Sequence, residues 1–158
     1  MSVGPRILFT RFVSGDSPKL QPWISHLRRL VAADGQVPPV PIDDLDNGAM
    51  VWQLVSGNNR QLARSVRVYS TFEDALAGAK ASRALASQLE VALVSEHHRG
   101  VYGWYASIDG EPLITCSRWY DTERDRFRSI NLAIPSLAAA VLLPGARLMS
   151  PALMHGSL

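Results

Sequence analysis

The chain has 158 residues, 47% of them apolar and 19% charged, which is typical of a single core-forming globular domain. Its 16 basic and 14 acidic residues give a net charge of only +2, so charge alone does not indicate a nucleic-acid-binding protein. The single cysteine, Cys116, excludes an intrachain disulfide and favours a reducing compartment.

The sequence has no pattern typical of a signal peptide or a membrane span. Arg6 and Arg11 interrupt the apolar residues near the N-terminus, which is unlike the apolar region of a signal peptide. The longest apolar run, Leu137–Leu143, is much shorter than the roughly 20 residues that a membrane-spanning helix needs. We therefore expect a cytoplasmic protein.

Residues 1–35 are predicted to form a strand and an amphipathic helix that precede the main domain. Arg6–Val13 has the composition of a strand, and Pro18–Ala33 has apolar residues at helical spacing, with Gly35 as its C-cap. Residues 36–48, rich in proline and aspartate, are predicted to form an extended linker. The apolar face of the helix carries Leu20, Trp23, Ile24, Leu27, Leu30 and Val31.

An internal repeat organises residues 49–143. The pattern Arg-x-Tyr-x-Thr-x-x-Asp occurs at residues 67–74 and again at 118–125, an offset of 51 residues. In each copy the threonine and the aspartate have the spacing of a helix N-terminal cap. The repeats are placed at about residues 50–97 and 101–143, followed by an apolar tail at 144–158.

Each repeat is predicted to contain three strands, a helix and a final strand. The turn signals are Ser56–Asn59 in the first copy and Asp109-Gly110 in the second. Pro135 is predicted to end the second helix near Ala133 or Ile134. The predicted third strands are Val66–Tyr69 and Arg118–Tyr120, and the final strands are Glu90–Ser95 and Leu137–Leu143. For the last of these, an alternative is that the alanines at 138–140 prolong the helix.

The segment from Ile114 to Glu123, followed by Ile130, resembles the signature of the YegP-like tandem-repeat family. Ser117, Tyr120 and Pro135 stand at matching places, whereas Arg118 replaces an acidic residue and Ser129 replaces a helix glycine. The resemblance implies an α+β fold of two β-β-β-α-β units that share one antiparallel sheet and exchange their last strands. It implies no activity and no cofactor.

The sequence indicates neither catalysis nor a metal site. His97 and His98 are adjacent on a predicted strand end, so their side chains are expected to point to opposite faces. Cys116 lies in a predicted strand, where a cysteine is typically a small buried apolar residue. No nucleophile elbow, phosphate-binding glycine loop or dinucleotide fingerprint is present. We therefore expect a non-enzymatic protein without a cofactor.

The repeated arginine and tyrosine positions are the first candidate site. Residues two apart in a strand share a face, so Arg67 and Tyr69, and likewise Arg118 and Tyr120, are predicted to project together while Trp119 points the opposite way. Such pairs suit a groove for an anion or a peptide, but the pattern is more typical of tyrosines that pack in the core or at the sheet edge and of solvated arginines. A nucleic-acid or ribosome-binding face would combine Trp119 and Tyr120 with Arg118, Arg124, Arg126 and Arg128.

Apolar residues outside the repeats are the second candidate site. They are Trp23, Leu27 and Leu30 in the N-terminal helix and Leu148, Met149, Leu153 and Met154 in the tail. Such residues provide adaptable apolar surface for a protein partner. The preferred hypothesis is therefore an interaction module or accessory subunit with a monomeric or weakly dimeric core, and the alternative is nucleic-acid binding.

Overall fold

A computed structural model describes residues 4–14, 16–34 and 48–149, without the side chains of 31–34 and 144–149. The fold is α+β, as predicted, with helices packed on a seven-stranded sheet. The elements are β1 (Arg6–Phe12), α1 (Gln21–Asp34), β2 (Ala49–Val55), β3 (Gln61–Ser65), α2 (Phe72–Ala84), β4 (Glu90–Glu96), β5 (Val101–Ile108), β6 (Glu111–Cys116), α3 (Glu123–Ala139) and β7 (Val141–Met149). The predicted cap at Gly35 and the linker, except Gly48, lie outside the described residues.

The sheet consists of two three-stranded meanders and one added strand. Its order is β4-β5-β6-β3-β2-β1-β7, so the two meanders meet where β3 pairs with β6. Arg64 pairs there with Thr115, which is its own equivalent at the 51-residue offset. The two halves of the fold are thus related by a local twofold axis at the centre of the sheet. The first half contains β2, β3 and α2, and the second contains β5, β6 and α3.

The sheet is mixed rather than wholly antiparallel as predicted. Every pairing is antiparallel except that of β1 with β7, which run parallel. The reason is that β1 occupies the place beside β2 where an exchanged last strand would lie, so β7 pairs with the outer side of β1 instead. The predicted strand exchange holds for β4, which pairs with β5 of the second half, whereas β7 pairs with the N-terminal strand.

Both predicted helix caps are present. The Thr71 hydroxyl accepts the Asp74 backbone N–H at 3.1 Å, and the Thr122 hydroxyl accepts that of Asp125 at 3.0 Å. Each hydroxyl satisfies a backbone donor that the first helical turn leaves unpaired, and the following carboxylates lie at the positive end of the helix dipole. The sequence pattern therefore predicted both helix starts correctly.

The predicted third strands are absent and are replaced by two isolated bridges. Tyr69 exchanges backbone hydrogen bonds of 2.7 and 2.8 Å with Met50, and Tyr120 does so with Tyr102 at 2.8 Å. Each tyrosine lies two residues before a capping threonine, so the chain must turn into a helix before a ladder can form. Each half therefore contributes two strands and a bridge before its helix.

The second helix does not end at Pro135 as predicted. Pro135 lies inside α3, which continues to Ala139, and Leu137 beyond the proline is fully buried. Burial of this leucine stabilises the last turn despite the hydrogen bond that the proline cannot donate. The helix therefore includes Ala138 and Ala139, with Ala140 as its C-cap, and the final strand begins at Val141 and runs past the predicted boundary at Leu143.

The N-terminal strand is an integral part of the sheet. The antiparallel pair of β1 and β2 matches the pair of β4 and β5 in the second half. The latter strands are joined by a turn at His97–Gly100, whereas the connection between β1 and β2 contains α1. Helix α1 thus occupies the place of a short turn.

The helices cover both faces of the sheet. Val51 of β2 clusters with the apolar residues of α1, whereas its neighbour Trp52 clusters with buried residues of α2 and α3. Because successive strand residues point to opposite faces, α1 covers one face and the other two helices cover the opposite face. In the described part of the chain, no helix has the length and apolar character needed to cross a membrane.

Replacing Leu27 should distinguish a core role of α1 from a surface role. Leu27 is buried between α1 and the sheet, so Leu27→Ala is expected to lower the free energy of unfolding by about 3 kcal/mol. Leu132→Ala is the matched control on an exposed helical leucine, with an expected loss below about 1 kcal/mol. Equal effects of the two substitutions in urea unfolding would contradict the packing described.

Candidate functional site

Two open grooves of similar volume, about 610 and 620 Å³, lie where the two halves of the fold meet. Each is built from the hairpin end of one half and from the bridge segment and helix of the other half. Tyr120 and α3 line the first groove, and Tyr69 and α2 line the second. The two grooves are therefore equivalent positions of the local twofold arrangement.

The first groove, which we call the basic groove, is lined by three arginines and one aspartate. Arg60 comes from the first-half hairpin, Arg118 from the segment before α3, and Arg128 from α3 itself. Among the described residues, no ion pair joins any of these three arginines to a carboxylate. Among the described lining residues, the positive charge of the groove is therefore offset only in part, by Asp125.

A hydrogen-bond network fixes Tyr120 in the wall of the basic groove. The Tyr120 hydroxyl donates to Ser129 Oγ at 2.8 Å, and the Trp104 indole N–H donates to the same oxygen at 2.9 Å. Since both lone pairs of that oxygen are used, the Ser129 hydroxyl retains its own hydrogen for donation. Burial raises the pKa of Tyr120, while the hydrogen bond to Ser129 and the charges of Arg118 and Arg60 oppose the rise.

The second groove, which we call the acidic groove, has the opposite charge. It is lined by one arginine, Arg67, and by the carboxylates Asp74, Asp109 and Glu111. The change arises because Glu111 stands where the basic groove has Arg60 and Ala77 stands where it has Arg128, at the 51-residue offset, and because Asp109 adds a carboxylate. One backbone arrangement thus presents two surfaces of opposite charge.

The two tyrosines also meet different neighbours on their helices. Gly78 occupies in α2 the position that Ser129 occupies in α3. A Cβ atom at Gly78 would lie 2.1 Å from the Tyr69 hydroxyl oxygen, so a serine does not fit there without movement. Tyr69 therefore packs against the helix backbone, whereas Tyr120 binds a side chain.

Each predicted arginine lies beside its tyrosine, as expected, but the two pairs line different grooves. The guanidinium of Arg67 lies 5.8 Å from the Tyr69 ring centre, and that of Arg118 lies 5.1 Å from the Tyr120 ring centre. The first pair lines the acidic groove and the second lines the basic groove. Trp119 points away towards α1, as predicted, and its ring lies 4.9 Å from the Arg29 guanidinium.

The predicted nucleic-acid face is divided by the fold. Arg126 is buried, donates to the Val94 carbonyl oxygen at 3.0 Å and lies over the Tyr102 ring. Trp119 lies on the α1 side, so it cannot serve as a stacking surface beside Arg128 in the basic groove. The predicted surface of four arginines and two aromatic residues is therefore corrected to two of those arginines and Tyr120.

The predicted apolar partner surface on α1 is also corrected. Trp23, Leu27 and Leu30 are at most 9% exposed because they pack against the sheet. They form part of the core and leave little surface for a partner. Leu148 and Met149 belong to β7, but their side chains are not described, and Leu153 and Met154 lie outside the described residues.

A buried histidine and the cysteine lie together beneath α1. His26 Nε2 lies 2.8 Å from the Cys116 carbonyl oxygen, to which it donates as a neutral imidazole, and 3.7 Å from Cys116 Sγ. Burial, with the nearby charge of Arg64, lowers the pKa of His26 to about 4. Burial raises the pKa of the Cys116 thiol. Both groups are therefore held neutral, the opposite of the thiolate and imidazolium pair that a nucleophilic cysteine uses.

The described residues contain no cluster of three or more His, Cys, Asp or Glu side chains suited to a metal ion. His97 and His98 are exposed in the turn between β4 and β5 rather than on a strand end. Sequence reasoning missed Arg60 as a groove residue. The repeat offset contained the signal, since it aligns Arg60 with Glu111 at the hairpin ends.

Comparison with known proteins gives information about the fold alone. No protein-family model matches the sequence, and no curated protein is significantly similar to it. Among solved structures, the chain is similar to the solution NMR structure of YegP, a protein of unknown function from E. coli, with a TM-score of 0.52. The similarity covers 96% of this chain and 98% of YegP at 14% sequence identity. The YegP-like fold is thus supported, while the tandem duplication stays a prediction.

His26 should make the protein lose stability on acidification. Its pKa is lowered from 6.5 to about 4 in the folded chain, so its contribution is complete above pH 6.5 and is lost as the pH falls towards 4. The shift corresponds to about 3 kcal/mol of unfolding free energy. Urea unfolding at several pH values in this window measures it.

Two variants separate the contribution of His26 from the loss of stability that protonation of carboxylates causes in the same pH range. His26→Gln is expected to be less stable at neutral pH but to lose less of its remaining stability between pH 6.5 and 4. His97→Gln, at an exposed histidine of the turn between β4 and β5, is the matched control and should lose as much stability on acidification as the wild type. An equal acid-induced loss in His26→Gln and the wild type would contradict the neutral buried imidazole.

Proposed function

We propose that the protein is a non-enzymatic interaction module, an accessory subunit of a cytoplasmic assembly, whose basic groove binds an acidic segment of a partner protein. The observation that supports this most directly is the convergence of Arg60, Arg118 and Arg128 on one open groove, where Asp125 is the only carboxylate among the described lining residues. A ligand that brings carboxylates would neutralise this excess positive charge.

The chemistry of the groove suits a peptide carboxylate. Guanidinium groups bind carboxylates through two parallel hydrogen bonds, which gives direction as well as charge attraction. The Ser129 hydroxyl adds a donor, and Leu62 and Leu132 add apolar lining. An acidic segment with interspersed apolar residues would use all of these groups.

Single-stranded RNA is the competing ligand, and the groove fits it less well. Sequence-tolerant RNA binding relies on aromatic rings on which bases stack. Arg118 lies over the Tyr120 ring and Trp119 lies on the opposite side of the sheet, so neither offers a bare ring to a base in the groove. The acidic peptide is therefore the proposed ligand, and RNA is an outcome of the test.

We also propose that the two halves are copies of one duplicated unit. The equivalent caps at Thr71 and Thr122, the equivalent tyrosine bridges and the pairing of Arg64 with Thr115 support this. On this view, the basic and acidic grooves began as the same surface. The opposite charges of the two grooves then mean that the two copies have become specialised to contact different molecules.

The groove should bind an acidic peptide in a charge-dependent manner. We expect a fluorescein-labelled peptide of alternating Glu and Leu to bind the full chain at low salt, and Arg118→Ala with Arg128→Ala to weaken binding at least about tenfold. Arg60→Glu should weaken it similarly, because it introduces the residue found at the equivalent position of the acidic groove. Fluorescence anisotropy measures all three.

The matched controls lie on equivalent or neighbouring surfaces. Arg67→Ala changes the corresponding arginine of the acidic groove, and Arg124→Ala changes an exposed arginine of α3 that does not line the groove. Both should bind like the wild type, and a peptide with Gln in place of Glu should not bind. Absence of binding at low salt, equal loss in the controls, or preferential binding of a single-stranded RNA of equal length would each overturn the proposal.

A further inference from the structure

The outer edge of β4 has no partner strand among the described residues, whereas the equivalent outer edge of β1 is paired. In the first half, the outer edge of β1 is covered by β7. In the second half, β4 occupies the equivalent place, and within the described residues no strand pairs with its outer side. The sheet therefore presents there a row of backbone donors and acceptors that can accept another strand.

The hydrogen-bond pattern identifies which residues of β4 face outwards. Tyr102 exchanges both backbone hydrogen bonds with Tyr120 and so faces away from β4. Its neighbour Gly103 consequently faces β4 and pairs with Val94. By alternation, the N–H and C=O groups of Val91, Leu93 and Ser95 point to the free edge.

The middle of this edge carries exposed apolar side chains, while the charged residues of the strand stand at its two ends, Glu90 and Glu96. Leu93 is 58% and Val91 is 37% exposed. The strand Glu90–Glu96 contains no lysine, proline or glycine, the residues that commonly prevent pairing at sheet edges. The edge is thus suited to strand addition rather than protected from it.

We propose that a second copy of the chain pairs antiparallel with β4 about a twofold axis at Leu93, joining two sheets into one. This register places Leu93 opposite its own counterpart and Val91 opposite Ser95 of the other copy. All three pairs bring outward-facing backbone groups together, so each can exchange two hydrogen bonds. In a symmetric pair this match follows from the symmetry itself, whereas the strand of an unrelated partner matches this edge only if its own sequence suits it.

Charge also favours the same register. It places Glu90 of one copy opposite Glu96 of the other, and Glu96 is bound by Arg29 at 2.9 Å and by Arg99 at 3.2 Å. Two guanidinium groups on one carboxylate leave a surplus positive charge at this point. The exposed Glu90 of the second copy would neutralise it, at both ends of the symmetric pair.

Sedimentation velocity of the full chain over a wide concentration range tests the proposal. The wild type should show reversible dimerisation, and Leu93→Lys should raise the dimer Kd at least about tenfold, because two lysines would face each other across the axis. Val141→Lys is the matched control, since Val141 is also 58% exposed on an outer strand of the sheet. It should dimerise like the wild type, and circular dichroism checks that both variants fold.

A cysteine at the axis gives an independent test of register. In a hydrogen-bonded antiparallel pair the two Cα atoms lie about 5.5 Å apart, within the range that a disulfide spans. Leu93→Cys should therefore form a covalent dimer on mild oxidation, and Val141→Cys should not, while the native Cys116 is buried. A monomeric wild type at every concentration, a dimer insensitive to Leu93→Lys, or equal crosslinking of the two cysteine variants would refute the proposal.

Discussion

The pairing of β3 with β6 is the interaction on which the rest of the structure depends. It is short, with Ala63, Arg64 and Ser65 opposite Cys116, Thr115 and Ile114, but it joins the two meanders into one sheet. Each groove combines the hairpin end of one half with the helix of the other, so neither groove exists within a single half. The central pairing therefore builds the binding surfaces as well as the core.

The two halves differ where differences cost little stability. The charge-determining residues Arg60, Glu111 and Arg128 are exposed, so a difference between the halves at these positions leaves the buried contacts unchanged. The positions that maintain the backbone are the same in both halves, namely the capping threonines and the bridging tyrosines. A dimer joined through β4 would carry two basic grooves, and simultaneous engagement of both would raise the apparent affinity for a repetitive acidic partner.

Sequence reasoning succeeded where structure depends on a few neighbouring residues. The turn at Asp109-Gly110 requires positive φ angles, which both residues adopt, and the caps at Thr71 and Thr122 depend on a spacing of three residues. The start of β5 at Val101 and the contact of Arg118 with Tyr120 likewise depend on residues close together in sequence.

The remaining features depend on contacts distant in sequence. The persistence of α3 past Pro135 depends on burial of Leu137 in the core, which no local pattern reveals. The role of Trp23 as a core residue depends on α1 covering a face of the sheet. The basic groove joins Arg60 to Arg128 only through the pairing of the two halves, so its residues do not form a motif in the sequence.

The parallel pairing of β1 with β7 has a consequence for the order in which the native contacts form. Within this sheet, the first strand in sequence lies beside the last, and the intervening chain forms the rest of the sheet. During synthesis, β1 can pair with β2 early, but its outer side must wait until α3 and β7 have left the ribosome. Contacts of such long sequence separation are slow to form. A chain from which β7 has not yet emerged would therefore have β1 and β4 as its outermost strands, both available for unintended association.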